Sequence, residues 1–168
     1  VTRTRLLGVA LAAAIITRCF ALRADAQVDS GPSPAAVTLP RIVLSQSQLA
    51  GLPRRSVTVT EDAGQAATYS GVDLGALLAK NGAPHGEALH GPAVADYVVV
   101  QARDGYRAVF TLVELDPRFT DKVVLLADQR DGAPLGSDLG PFRIIVPDEK
   151  HHARWVRNAT DITVRTTP

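Results

Sequence analysis

Cysteine is almost missing from this 168-residue chain: its single copy, Cys19, sits in an N-terminal apolar segment. Residues 27–168 therefore offer no disulfide, no thiolate metal ligand and no cysteine nucleophile. A domain of that length can do without cross-links, since it buries roughly 68% of its unfolded surface. A charge excess is missing too, with 18 Lys+Arg against 17 Asp+Glu. Arg3, Arg5, Arg18 and Arg23 lie in segment 1–26 with only Asp25, which leaves 14 basic and 16 acidic groups beyond it. The basic balance thus belongs to the N-terminus, and nothing points to nucleic acid. No Gly-x-Ser-x-Gly elbow is present, which argues against a hydrolase triad. No His-x₃-His or His-Glu-x-x-His spacing and no internal repeat occurs either.

What is present begins with an export signature. Arg3 and Arg5 give a positive n-region, Leu6 to Ile16 an apolar run of eleven residues, and Ala24-Asp25-Ala26 a small-x-small cleavage site before Gln27. A spanning helix needs about 20 apolar residues. Residues 1–26 are expected to be a Sec-type signal peptide, with retention as an anchor the alternative. Thr17-Arg18 before Cys19 argues against a lipidated cysteine. Val1 suggests an alternative start codon in a bacterium. The expected location is periplasmic or secreted, with no membrane span after cleavage. Residues 27–40, rich in Pro, Ser and Gly, read as a disordered leader, and 41–168 as one domain.

Within 41–168 short strands outnumber short helices. Ile42–Leu44 suits a short strand, and Ser45 with Gln48 has capping-box spacing for a helix that Gly51 and Pro53 stop. Ser56–Thr60 and Ala66–Ser70 read as a hairpin across Glu61–Gly64. Asp73 caps a helix over Leu74–Lys80, which Asn81-Gly82 ends. Tyr97–Gln101 and Tyr106–Phe110 flank the turn Asp104-Gly105. Thr111 and Glu114 repeat the capping-box spacing ahead of Pro117. Strands are expected over Val123–Leu126, Phe142–Val146 and Ile162–Val164, with a helical loop over Lys150–Asn158. The class is α+β, with mixed sheets of short strands and a few short helices.

Five blocks, in one order, carry a family likeness: Gly71-Val72-x-Leu74 with Leu77-Leu78; Asp104-Gly105-Tyr106; Leu126-Ala127 with Gly132-x-Pro134-Leu135; Gly140-Pro141-x-Arg143 with Pro147; and Ala153-Arg154-Trp155-Val156-Arg157. Together they cover about residues 55–164, and the chain resembles the oxidoreductase molybdopterin-binding domain of the sulfite oxidase type. The resemblance implies that fold, and it implies cationic groups near a pterin and its phosphate. Arg143, Arg154 and Arg157 match those positions, with Tyr106 beside them. Guanidinium forks suit a dianionic phosphate and an acceptor-rich pterin edge. Two positions depart from the pattern: His152 stands where a glycine is expected, and Asn158 where a tryptophan is expected.

The resemblance also implies a molybdenum centre completed by a protein thiolate, and residues 27–168 have none. Proteins that export this cofactor fold around it and leave by the twin-arginine route, whereas the n-region here reads Arg3-Thr4-Arg5. The expectation is therefore an exported, non-catalytic binding module on this scaffold, with no catalytic residue and no metal. Its partner would be a small anion, a pterin-like ligand or a periplasmic protein. A molybdopterin-dependent oxidoreductase, or a subunit of one, is the first alternative. A structural or interaction domain, in which the arginines only pair with acidic loops, is the second. Trp155 is expected to anchor its loop in the core. His151-His152 are expected to be solvated loop residues.

Overall fold

The computed structural model describes residues 41–166, so the signal-peptide and leader segments lie outside the described residues. Nine strands run β1 (Ile42–Val43), β2 (Arg54–Thr60), β3 (Ala66–Asp73), β4 (Tyr97–Ala102), β5 (Arg107–Thr111), β6 (Leu125–Arg130), β7 (Ala133–Pro134), β8 (Arg143–Ile145) and β9 (Ala159–Arg165). Two short α-helices, α1 (Gln46–Leu49) and α2 (Leu74–Lys80), and four 3₁₀ turns complete the domain. One sheet has the order β1-β9-β4-β5, and the other runs β2-β3-β6-β7 with β8 also paired to β6. The expectation of mixed sheets narrows to antiparallel pairing in every ladder of the described residues. No described helix is long and apolar enough to cross a membrane.

Side-chain period explains the layering. In β4 and β5 every second residue is buried, which marks strands with one face on the core. Leu125–Asp128 of β6 and all of β8 are buried continuously, the pattern of strands covered on both faces. Leu74, Leu77 and Leu78 share one face of α2 and are fully buried. Asp73 caps that helix as expected, its Oδ1 accepting from the Gly75 N–H at 2.9 Å.

Two glycine-dependent features fix the geometry. At the irregularity between Ser70 and Gly71, where β3 meets β6, a Cβ on Gly71 would lie 2.0 Å from the Leu126 carbonyl oxygen. Asp131 and Gly132 both take positive φ, +50° and +82°, as a type I′ hairpin from β6 to β7 requires. The Asp131 carboxylate also accepts the Thr68 N–H at 2.8 Å, which ties this turn to β3.

The chain leaves one sheet at β8 and enters the other at β9, so segment 146–158 bridges the two sheets. Its return limb is stitched to β8 by Ile144 N–H to Val156 O and Ala159 N–H to Phe142 O, each 2.9 Å. The helical loop expected over Lys150–Asn158 is thereby reduced to one 3₁₀ turn at His152–Arg154. The two capping-box spacings part company. Thr111 and Glu114 bond reciprocally at 3.0 and 3.2 Å, whereas the Ser45 hydroxyl pairs with Ser47 and caps nothing.

Candidate functional site

Arg143 stands on β8 opposite Ala127 and is 8% exposed. Its Nη1 donates to the Tyr69 hydroxyl at 2.5 Å and to Glu61 Oε1 at 3.1 Å, while its guanidinium lies 5.2 Å from the Tyr69 ring centre and 5.5 Å from that of Trp155. Tyr69, fully buried in β3, donates its own hydroxyl to Glu61 Oε1. Arg130 donates to the other Glu61 oxygen at 2.6 Å. Glu61, at the tip of the β2–β3 hairpin, thus collects two guanidiniums and a phenol. Such charge-assisted bonds are about twice as strong as neutral ones.

The electrostatics of this cluster follow from its burial and its charges. Burial alone would push the Glu61 carboxyl up, but bonds from Tyr69 and Arg143 and the charge of Arg130 outweigh it and hold it below its usual range. The Tyr69 phenol is pushed up to about 12 by burial and by its bond to Glu61, against the opposing charges of Arg143 and Arg130.

Trp155 is the pivot of the basic segment. It is 4% exposed, donates Nε1–H to the Val146 carbonyl at 3.0 Å, and meets Tyr69 edge-on with centroids 6.5 Å apart. The expected core-anchor role is what these contacts describe. His152 stacks on its ring at 3.7 Å and sets Nδ1 2.8 Å from Asp62. His151 is exposed, whereas His152 is half-buried in that stack and is not a solvated loop residue. Among the described residues no group of three or more His, Cys, Asp or Glu could hold a metal ion.

Arg154 shares no partner with Arg143. Its guanidinium covers the Phe110 ring at 4.6 Å, pairs with Glu149, and donates Nη1 to Glu114 Oε1 at 3.0 Å and to the Val109 carbonyl at 3.1 Å. Tyr106, half-exposed beside the β4–β5 turn, donates its hydroxyl to the Ala153 carbonyl at 2.5 Å. Arg157 is exposed. The four residues singled out in the sequence thus divide. Tyr106 and Arg154 meet on the 3₁₀ turn, Arg143 is walled off behind Trp155, and Arg157 faces solvent.

None of these four residues lines either of two openings in the described domain. A polar cleft of about 450 Å³ runs from Thr58–Asp62 to Pro147, Glu149, Lys150, His152 and Trp155. Three carboxylates, Glu61, Asp62 and Glu149, face it, against one lysine and one histidine. A larger cavity of about 590 Å³ lies between α2 and residues 112–122. Sequence reading missed Glu61, Tyr69 and Arg130 as members of the basic site, because their partners stand 69 to 82 residues away. It missed the larger cavity for the same reason.

A family model described as the oxidoreductase molybdopterin binding domain matches residues 43–168. No curated protein matches the chain.

Proposed function

Because the chain belongs to the oxidoreductase molybdopterin binding domain family, we propose that it is a non-catalytic binding module on that family's sulfite oxidase-like scaffold, exported to the periplasm of a bacterium or secreted. One observation carries the reading. The guanidiniums that the family likeness assigns to a bound anion are held by the protein's own carboxylates, Arg143 by Glu61 and Arg154 by Glu149 and Glu114.

The donor set does not fit a molybdenum–molybdopterin centre. Such a centre takes a soft thiolate from the protein, and residues 27–168 offer no cysteine. A dianionic phosphate would also have to expel a carboxylate from Arg154, or reach Arg143 behind the buried Tyr69 and Trp155. What remains open to an external anion is Arg157, with Arg154 available only by exchange. A small anion, a pterin-like molecule or an acidic segment of a partner protein would bind this edge in competition with Glu149 and Glu114.

The test uses protein purified from its native host. Metal analysis and cofactor fluorescence are expected to find neither molybdenum nor pterin. A stoichiometric amount of both would sink the proposal and favour an oxidoreductase whose missing ligand comes from a partner subunit. On the same protein, phosphate is expected to raise the melting temperature more in the Glu149→Gln/Glu114→Gln variant than in wild type, because the exchange cost is gone. Equal responses would remove Arg154 from the binding edge.

A further inference from the structure

The cavity between α2 and residues 112–122 shares no lining residue with the cleft beside Trp155. Its volume of about 590 Å³ lies within the usual range for small-molecule sites, roughly 300–1,000 Å³. The walls are built rather than loose. The Asp116 carboxylate, 5% exposed, accepts the Gly86 N–H at 2.5 Å on one oxygen and the Arg118 N–H at 2.8 Å on the other. That clamp holds the 84–86 loop against the 116–118 turn. A Cβ on Gly75 would lie 2.1 Å from the Leu115 carbonyl oxygen, so α2 packs directly on the 3₁₀ turn that forms the far wall.

The chemistry of the lining is lopsided. Leu78, Ala79, Leu112 and Leu115 give an apolar floor. Arg55, Arg118 and Lys122 stand around the rim, and their charges are loosely held. Arg55 is 3.8 Å from Asp73 and Arg118 is 3.7 Å from Glu87, both beyond good hydrogen-bond distance. Lys122 has no side-chain partner among the described residues. The carboxylates at the site are differently disposed. Both Asp116 oxygens are taken by backbone N–H groups, Asp73 Oδ1 caps α2, and only Asp121 is exposed at the lip. Burial pushes the Asp73 carboxyl up despite its backbone bonds from Gly75 and Ala76.

We infer that this cavity binds a small amphipathic carboxylate, its apolar body on the leucine floor and its head among Arg55, Arg118 and Lys122. Free donor capacity at the rim is cationic, whereas the acceptors are mostly spent on the backbone. A single negative charge suits the site better than a dianion, because Asp73 and Asp116 stay close to it.

The inference is tested by amide NMR titrations of the full domain with phenylacetate, cyclohexanecarboxylate and isocaproate, beside phenethyl alcohol and phenethylamine. At least one acid is expected to give saturable shifts at Leu78, Ala79, Leu115 and Arg118, binding about 5-fold tighter than the alcohol. Arg118→Ala and Lys122→Ala are each expected to weaken it about 3- to 5-fold with the melting temperature unchanged. Ala79→Leu, which fills the floor from a half-buried position, is expected to abolish it. No saturation with any acid, equal or tighter binding of the alcohol or amine, or shifts gathering at Trp155 and His152 would each overturn the assignment. A negative result here leaves the reading of the Arg154 edge standing, since the two sites share no residue.

Discussion

Replacing Glu61 with glutamine keeps the side chain's shape and removes its charge. Arg143, its side chain 10% exposed between the rings of Tyr69 and Trp155, would then hold a positive charge with no anion beside it. Breaking a buried ion pair from one side costs about 3–5 kcal/mol. The Glu61 side chain is 20% exposed and the amide keeps an acceptor oxygen, so about 2–3 kcal/mol is the appropriate figure here. For a domain of this size each kcal/mol moves the melting temperature by about 3–5 °C, giving a drop of about 6–15 °C. Thermal unfolding followed by circular dichroism near neutral pH measures it. Adding Arg143→Met removes the stranded charge, and residues in contact are not additive, so the double variant should regain at least half the loss. The pH dependence has a fixed sign. The folded Glu61 pKa lies below its unfolded value, so its stabilisation is complete above the unfolded pKa and disappears as pH falls through the folded one. The gap between wild type and Glu61→Gln should therefore begin to narrow below about pH 4.3 and vanish as pH falls through the lower folded value. A single variant melting within about 1 °C of wild type, or a double variant no better than the single, would refute the network's role.

Three further outcomes are expected. In an alkaline ultraviolet titration, the Tyr69 phenol should ionise only near about 12, and Tyr69→Phe should delete that late step. Because the folded pKa is raised, the phenol's stabilising effect is full below about pH 10 and lost as pH climbs through about 12; a titration unchanged by Tyr69→Phe would contradict this. Gly71→Ala places a methyl 2.0 Å from the Leu126 carbonyl oxygen, so β3 and β6 must separate. A loss of about 1–3 kcal/mol or more should appear in urea unfolding, and wild-type stability would show that the contact is not that close. Leu77→Ala empties a fully buried site beneath α2 and should cost about 2–5 kcal/mol in the same assay; a cost under about 1 kcal/mol would mean that the site collapses around the smaller side chain.

Much of the fold was legible along the chain. The β2–β3 and β4–β5 hairpins formed across the turns that Gly64 and Gly105 mark, both at positive φ. Strands β4 and β9 were both expected, although β9 begins earlier, at Ala159, than Ile162 suggested. The helix over Leu74–Lys80 and its aspartate cap were plain in the local pattern. Local pattern failed where a distant neighbour set the backbone. Residues 150–158 looked like a helical loop, yet Val156 and Ala159 pair with Ile144 and Phe142, and Trp155 is pinned to Val146. The Ser45 capping box failed because Ser47 took its hydroxyl.

The site was less legible than the fold. Sequence could name Arg143, Arg154, Arg157 and Tyr106 as a basic edge, and could show that residues 27–168 have no thiol. Those statements depend only on residue identity and order. Whether a guanidinium is free depends on which acid folds against it, and that is fixed by sheet register and hairpin reach. Glu61 reaches Arg143 across 82 residues, and Glu114 reaches Arg154 across 40. The cavity above α2 likewise needs the 84–86 and 112–122 segments to meet, through a carboxylate that bonds 30 residues back. Charge and chemistry are therefore written in the sequence, but the pairing that frees or silences each charge is a property of the packed domain alone.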